Sequence, residues 1–171
     1  VGLASSNPSL LILTETRIEQ AGRLHFLELL GFDDSTFIPS IGRSGGLIAK
    51  WKKDSISVSV LRQNHQYFYL LCSFRGKASF RLTAIYAIPS LALKNALCQD
   101  LISICNSSLE PWAIIGDFNE ILSSDERISG VAVDFSRILK FQDRVQACCL
   151  SDLGFLGPKF TWRGPRMPNY A

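Results

Sequence analysis

The chain has 171 residues, of which 47% are hydrophobic and 19% charged, a composition that excludes intrinsic disorder and suits one domain spanning residues 1–171. No apolar run approaches the roughly 20 residues that a bilayer span needs, so no membrane partner is expected. The formal net charge of +3, part of it clustered at Arg43, Lys50, Lys52 and Lys53, is compatible with a polyanion without identifying one.

In chain order, Leu10 to Leu13 reads as a short buried strand that runs directly into Thr14-Glu15-Thr16. From Ile18 the apolar residues Ala21, Leu24 and Leu27 recur at helical spacing, and Gly31 stands where a helix C-terminus is expected. Gly42 to Gly46 reads as a turn and Gly46 to Trp51 as a strand. Ser55 to Val60 alternates strictly, with Ile56, Val58 and Val60 on one face, the mark of a half-buried strand. Tyr67 to Phe74 and Phe80 to Ile88 flank Arg75-Gly76-Lys77 as a hairpin. Leu93, Leu97, Leu101 and Ile104 lie on one face of a helix over Leu91 to Asn106. Trp112 to Ile115 is a second buried strand, ending at Gly116-Asp117. Asp134 caps a further helix with Phe135, Ile138, Leu139, Gln142 and Val145 on one side. Short strands at Ser151 to Leu153 and Phe160 to Trp162 complete the pattern. Hairpins mixed with strand-helix-strand connections predict an α/β (α+β) layered domain.

The five cysteines, Cys72, Cys98, Cys105, Cys148 and Cys149, are odd in number and form no C-x-x-C pair. They read as small core residues in a reducing compartment, cytoplasmic or nuclear. No basic-then-apolar leader is visible, and Val1 reads as the start of a chain cut from something longer.

Two strands share an unusual ending. Leu10 to Leu13 leads to Glu15, and Trp112 to Ile115 leads to Asp117. A carboxylate beside an apolar strand is costly unless a cation or a ring of donors compensates it, and strand ends are where layered α/β folds carry their chemistry. The alternative is a pair of surface carboxylates capping the following helices. Gly116-Asp117-Phe118-Asn119 spaces an acid and an amide by two residues, a proton acceptor or cation ligand beside an oxyanion donor.

These segments resemble the endonuclease/exonuclease/phosphatase superfamily, which includes the DNase-type nucleases, and are most like the endonuclease-like domains of plant non-LTR (LINE-type) retroelements. The matching blocks run in order: Leu11 to Thr16, Gly42 to Leu47, Thr83 to Pro89, Glu110 to Leu122, and Leu150 to Phe155 with Phe160 to Trp162. The resemblance implies a DNase-like layered α/β sandwich, two mixed sheets flanked by helices, acting on DNA, with RNA as the alternative polymer. It implies Glu15 as the ligand of a catalytic Mg²⁺ (or Mn²⁺), a hard cation content with few protein oxygens. Asp117 would activate the attacking water, Asn119 hold the scissile phosphate and Tyr86 donate to a phosphate oxygen. Tyr86 also admits a plain core role. Arg43 is a candidate phosphate contact, with a solvated turn as the alternative. Gly42 to Gly46 is not a Walker motif, since no Gly-Lys-Ser/Thr follows.

The resemblance also implies segments not found here. They are an asparagine-bearing first strand and, beyond Trp162, Leu-Asp-Arg-like and Ser-Asp-His-like segments. Neither His25 nor His65 matches the latter's histidine. The expectation is an incomplete domain lacking its first and C-terminal strands, exposing an edge and poorly active and soluble alone. Three readings stay open: a metal-dependent DNA endonuclease, a non-catalytic remnant of a retroelement domain, and a phosphatase on the same scaffold.

Overall fold

The computed structural model describes residues 7–20, 28–42, 44–128 and 132–160. The chain divides into two compact units, Val1–Asn119 and Glu120–Ala171.

In the first unit, β1 (Leu10–Leu13), β2 (Asp34–Ile41) and β3 (Ser44–Trp51) form an antiparallel sheet in the order β1-β3-β2. Gly45 to Trp51 are all buried in the central strand, and apart from Lys50, whose Nζ lies 3.9 Å from Glu28 Oε1, that stretch is apolar without alternation. The sequence reading has no strand at β2. Its residues, DSTFIPSI, hold a proline and several small polar side chains, both poor strand signals. They pair because β2 lies at an edge, where the missing N–H of Pro39 is tolerated; the ladder joins Ile38 to Leu47 and Ser40 to Gly45.

The predicted helix after Ile18 falls mostly on residues 21–27, which, with His25, lie outside the described residues. Of its flanks, Ile18 to Gln20 are not helical, and Glu28 to Leu30 form a short 3₁₀ turn. Gly31 closes that turn at φ +82.

The second sheet holds β4 (Ile56–Asn64), β5 (Tyr67–Phe74), β6 (Ser79–Tyr86) and β7 (Trp112–Asp117) in that order, with β7 parallel to β6 and the other pairs antiparallel. Period-two alternation sorts its side chains between two faces. Ile56 of β4, Phe68, Leu70 and Cys72 of β5, and Leu82, Ala84 and Tyr86 of β6 share one core with Ile38 of β2 and Leu47, Ala49 and Trp51 of β3. The two sheets therefore pack face to face, as the sandwich expectation requires. Burial pushes the Cys72 thiol up to about 11, keeping it a neutral core group at ordinary pH.

The opposite face of the second sheet carries helix α1 (Leu91–Cys105). Its buried positions are Lys94, Leu97, Leu101 and Ile104, so Lys94 stands where the apolar spacing pointed to Leu93. Beneath the far end of α1 lies Arg81, 3% exposed. Its Nη1 donates to Ile104 O at 2.9 Å, and its Nη2 donates to Ser108 O at 2.7 Å and Glu110 O at 2.9 Å. A guanidinium thus spreads its donors over one carbonyl of the last helical turn and two of the loop that follows it, near a helix C-terminus where positive charge is favoured.

In the second unit, helix α2 (Phe135–Ala147) starts at Asp134, whose carboxylate accepts from the backbone of Ser136 and Arg137, as expected of the cap. Arg137 grips both oxygens of Glu120 at 3.0 Å, and Gln142 Nε2 donates to Leu122 O at 2.7 Å. The buried face of α2 differs from the one read in the sequence: Ile138 and Phe141 are buried, while Phe135 and Leu139 are exposed. The helix keeps its start but rotates its apolar contact toward Phe141. The strand expected at Ser151 to Leu153 is not formed. Those residues are exposed, Leu153 at 92%, and have no ladder partner among the described residues. The strand expected at Phe160 to Trp162 lies mostly outside the described residues, and Phe160 itself is not in a strand. Cysteine burial also splits: Cys72 and Cys148 are buried, Cys98 and Cys105 half-buried, and Cys149 exposed, and none of them forms a disulfide. No helix among the described residues is long and apolar enough to cross a membrane.

Arg81→Met removes the donors that tie down the carbonyls of Ile104, Ser108 and Glu110 while conserving much of the side-chain volume. Urea unfolding should show a loss of about 2–4 kcal/mol, the scale of several charge-assisted hydrogen bonds lost together.

Candidate active site

The site lies within the first unit, where the start of β3 faces the end of β6. Glu15 sits just past β1 at φ +52. The next two residues are clipped to β3, with Thr16 N donating to Gly46 O at 3.2 Å and Arg17 N to Gly45 O at 3.0 Å. The clip needs glycine: a Cβ on Gly46 would fall 2.4 Å from Thr16 Oγ1. Gly45, at φ +78, lies beside the Tyr86 ring: an added Cβ would meet Cδ1 and Cε1 at 3.6 Å. The sequence reading took these glycines only as a tight turn.

Tyr86 ends β6 and is 3% exposed. Its hydroxyl lies 3.3 Å from Ser44 Oγ. Burial raises its pKa above the ordinary tyrosine value; the Ser44 hydrogen bond pulls the other way, while a hydrogen bond to Glu15 and the negative charges of Glu15 and Asp117 raise it further. Both carboxylates thus act on one phenol, and the phenol stays protonated, a donor, at neutral pH.

Asp117 reaches the site through the parallel ladder, which pairs Tyr86 with Asp117 and continues as Ala87 N donating to Asp117 O at 2.8 Å. The approach of the strands depends on Gly116, at φ +138, where a Cβ would lie 2.0 Å from Ile85 O. Asp117 Oδ1 accepts from Asn119 N at 2.7 Å. Asn119, at φ +50, spends one amide hydrogen on Ala87 O at 2.9 Å. A second N–H remains on that amide.

The structure therefore brings Glu15, Tyr86, Asp117 and Asn119 to one end of the sandwich. Arg43 lies outside the described residues. His65 is exposed in the β4–β5 turn, next to Gln66, whose carbonyl accepts from Tyr86 N at 2.8 Å. Ser44 and Lys94 were not singled out in the sequence. Ser44 reads as a generic turn residue, and only its distance to Tyr86 marks it.

No three His, Cys, Asp or Glu side chains gather among the described residues. The donor set at the site, Glu15 with Asp117 beside it, is all oxygen. That fits a hard divalent cation that keeps several waters, and not a softer metal wanting nitrogen or sulfur.

No protein-family model and no curated protein matches the chain. Solved structures do. The 3′ phosphatase NExo from Neisseria, bound to product DNA hairpin, is 13% identical with a TM-score of 0.59, over 85% of this chain and 63% of that one. ANGEL2, a 2′,3′-cyclic phosphatase in complex with adenosine-2′,3′-vanadate, is 16% identical with a TM-score of 0.52, over 70% of this chain and 42% of that one. The chain spans less than two thirds of either protein's length.

Two measurements probe the site. Gly116→Ala should cost about 2–4 kcal/mol in urea unfolding, because a clash with backbone cannot be relieved by a rotamer change. Glu15→Gln removes a charge that raises the Tyr86 pKa, so the Tyr86 component of an ultraviolet titration, isolated by difference against Tyr86→Phe, should move to lower pH. What the chain shares with NExo and ANGEL2 is the fold, the DNase-like α/β sandwich.

Proposed function

We propose that the chain is a divalent-metal-dependent phosphodiester hydrolase of the endonuclease/exonuclease/phosphatase superfamily, with DNA as its substrate. The reading takes residues 1–171 as one such domain, of LINE-type retroelement lineage by its sequence blocks. The observation that carries it is that Asp117 stands opposite Tyr86 in the β6–β7 ladder, while Glu15 hydrogen-bonds the same phenol. Glu15 would hold Mg²⁺ or Mn²⁺, and the bound ion would offset negative charge on the phosphate. Asp117, with Oδ1 tied down by Asn119, presents Oδ2 to take a proton from the attacking water. Tyr86, kept protonated, donates to a phosphate oxygen as its charge builds. The second amide N–H of Asn119 is available to the same phosphate. NExo, whose structure holds a DNA hairpin, supports DNA as the polymer.

A second reading, a phosphatase on the same scaffold, is favoured by the phosphatase activities of NExo and ANGEL2. Two substrates separate them: supercoiled plasmid for nicking, and a 3′-phosphorylated hairpin oligonucleotide for phosphate release. With Mg²⁺ present, the domain completed with the segments that the resemblance implies is expected to nick plasmid, and its Asp117→Asn variant to lose at least ~10³-fold in rate, the scale of removing a general base together with the alignment it provides; the 171-residue chain alone is expected to be far slower. Phosphate release without nicking selects the second reading. A folded, completed domain inert on both substrates, or an Asp117→Asn variant as fast as its parent, overturns the enzymatic assignment.

A further inference from the structure

Lys94 occupies the first turn of α1 and is 4% exposed. Neither fact is what a lysine prefers: a buried ammonium is unfavourable unless acceptors surround it, and a positive charge near a helix N-terminus opposes the helix dipole. Its Nζ donates to the backbone carbonyl of Asn119 at 2.7 Å. Asn119 is held at φ +50, a region that a residue with a side chain keeps only where its surroundings over-determine it. Here three bonds do so. The backbone N–H donates to Asp117 Oδ1 at 2.7 Å, the side-chain amide to Ala87 O at 2.9 Å, and the carbonyl accepts from Lys94.

We infer that Lys94 is a positioning residue for the hydrolytic site: from α1 it fixes the Asn119 carbonyl, and through Asn119 it sets the orientation of the Asp117 carboxylate. The inference rests on the proposed hydrolase reading for its consequence, though not for its geometry. Lys94 touches neither substrate nor metal in this role. The bond joins a helix packed on the outer face of the second sheet to the turn that follows the acid at the end of β7, so the acid's aim depends on the seating of α1.

The experiment compares wild type with Lys94→Met, which keeps the length and apolar stem, and Lys94→Arg, which keeps the charge. Two readouts are taken: the position and exchange rate of the Asn119 backbone amide by NMR, and steady-state plasmid nicking with Mg²⁺. Lys94→Met is expected to displace the Asn119 amide resonance, quicken its exchange, and lower kcat by ~10–100-fold with KM little changed, as for a misaimed catalytic group. Lys94→Arg is expected to recover part of both. A Lys94→Met protein with the wild-type Asn119 amide overturns the inference, and so does one with wild-type kcat. Should Lys94→Met fail to fold, Lys94→Gln, too short to reach the carbonyl, is read by the same criteria. If wild type turns over no substrate, the Asn119 amide still decides. Its displacement in Lys94→Met keeps the positioning role and places the failure on the hydrolase reading; an unmoved amide overturns the positioning role itself.

Discussion

Two places in this chain have room for backbone and for nothing else. At Gly46 a methyl group would strike Thr16 Oγ1 at 2.4 Å, and at Gly116 it would strike Ile85 O at 2.0 Å. Each stands beside a segment that delivers an acid, Glu15 in the first case and Asp117 in the second. The two acids come from different sheets, and both depend on main chain approaching neighbouring atoms more closely than a Cβ allows. The electrostatics at Tyr86 follow from that contact: one buried phenol under the influence of two carboxylates.

Bringing like charges together is unfavourable in itself, even with Glu15 exposed and Asp117 half-buried, and the surrounding structure offsets it with directed hydrogen bonds. Asp117 accepts from the Asn119 N–H, and Tyr86 interacts with both Glu15 and Ser44. What remains is a concentration of negative potential suited to a cation, next to protonated donors suited to an anion. A metal-bound phosphate supplies both at once.

Much of this was legible in the sequence. The strand runs ending in Glu15 and Asp117, the alternation of Ser55 to Val60, the hairpin about Gly76 and the cap at Asp134 each reflect a local rule, and local rules can be read locally. β2 was not, because Pro39 and its small polar neighbours describe an edge whose pairing is decided by β3. Nor were Arg81 and Lys94, since a buried cation looks like a surface one until the carbonyls around it are known. The buried face of α2 was misjudged for a related reason: several apolar stripes fit one helical period, and tertiary contact selects among them. At the candidate site, Glu15 and Asp117 were singled out by their strand endings and Tyr86 by the family resemblance alone. The glycine clip and Ser44 depend on distances that no spacing rule encodes.

The parallel pairing of β6 with β7 has a consequence for how the molecule matures. The antiparallel hairpins β4–β5 and β5–β6 join neighbours in sequence and can zip from their turns. Tyr86 and Asp117 meet only after the whole of α1 has crossed and docked, a non-local closure that chains reach late. A partly folded form could own a complete apolar sandwich while its acid and phenol were still strangers, so chemical competence would mark the final stage of folding and not its onset.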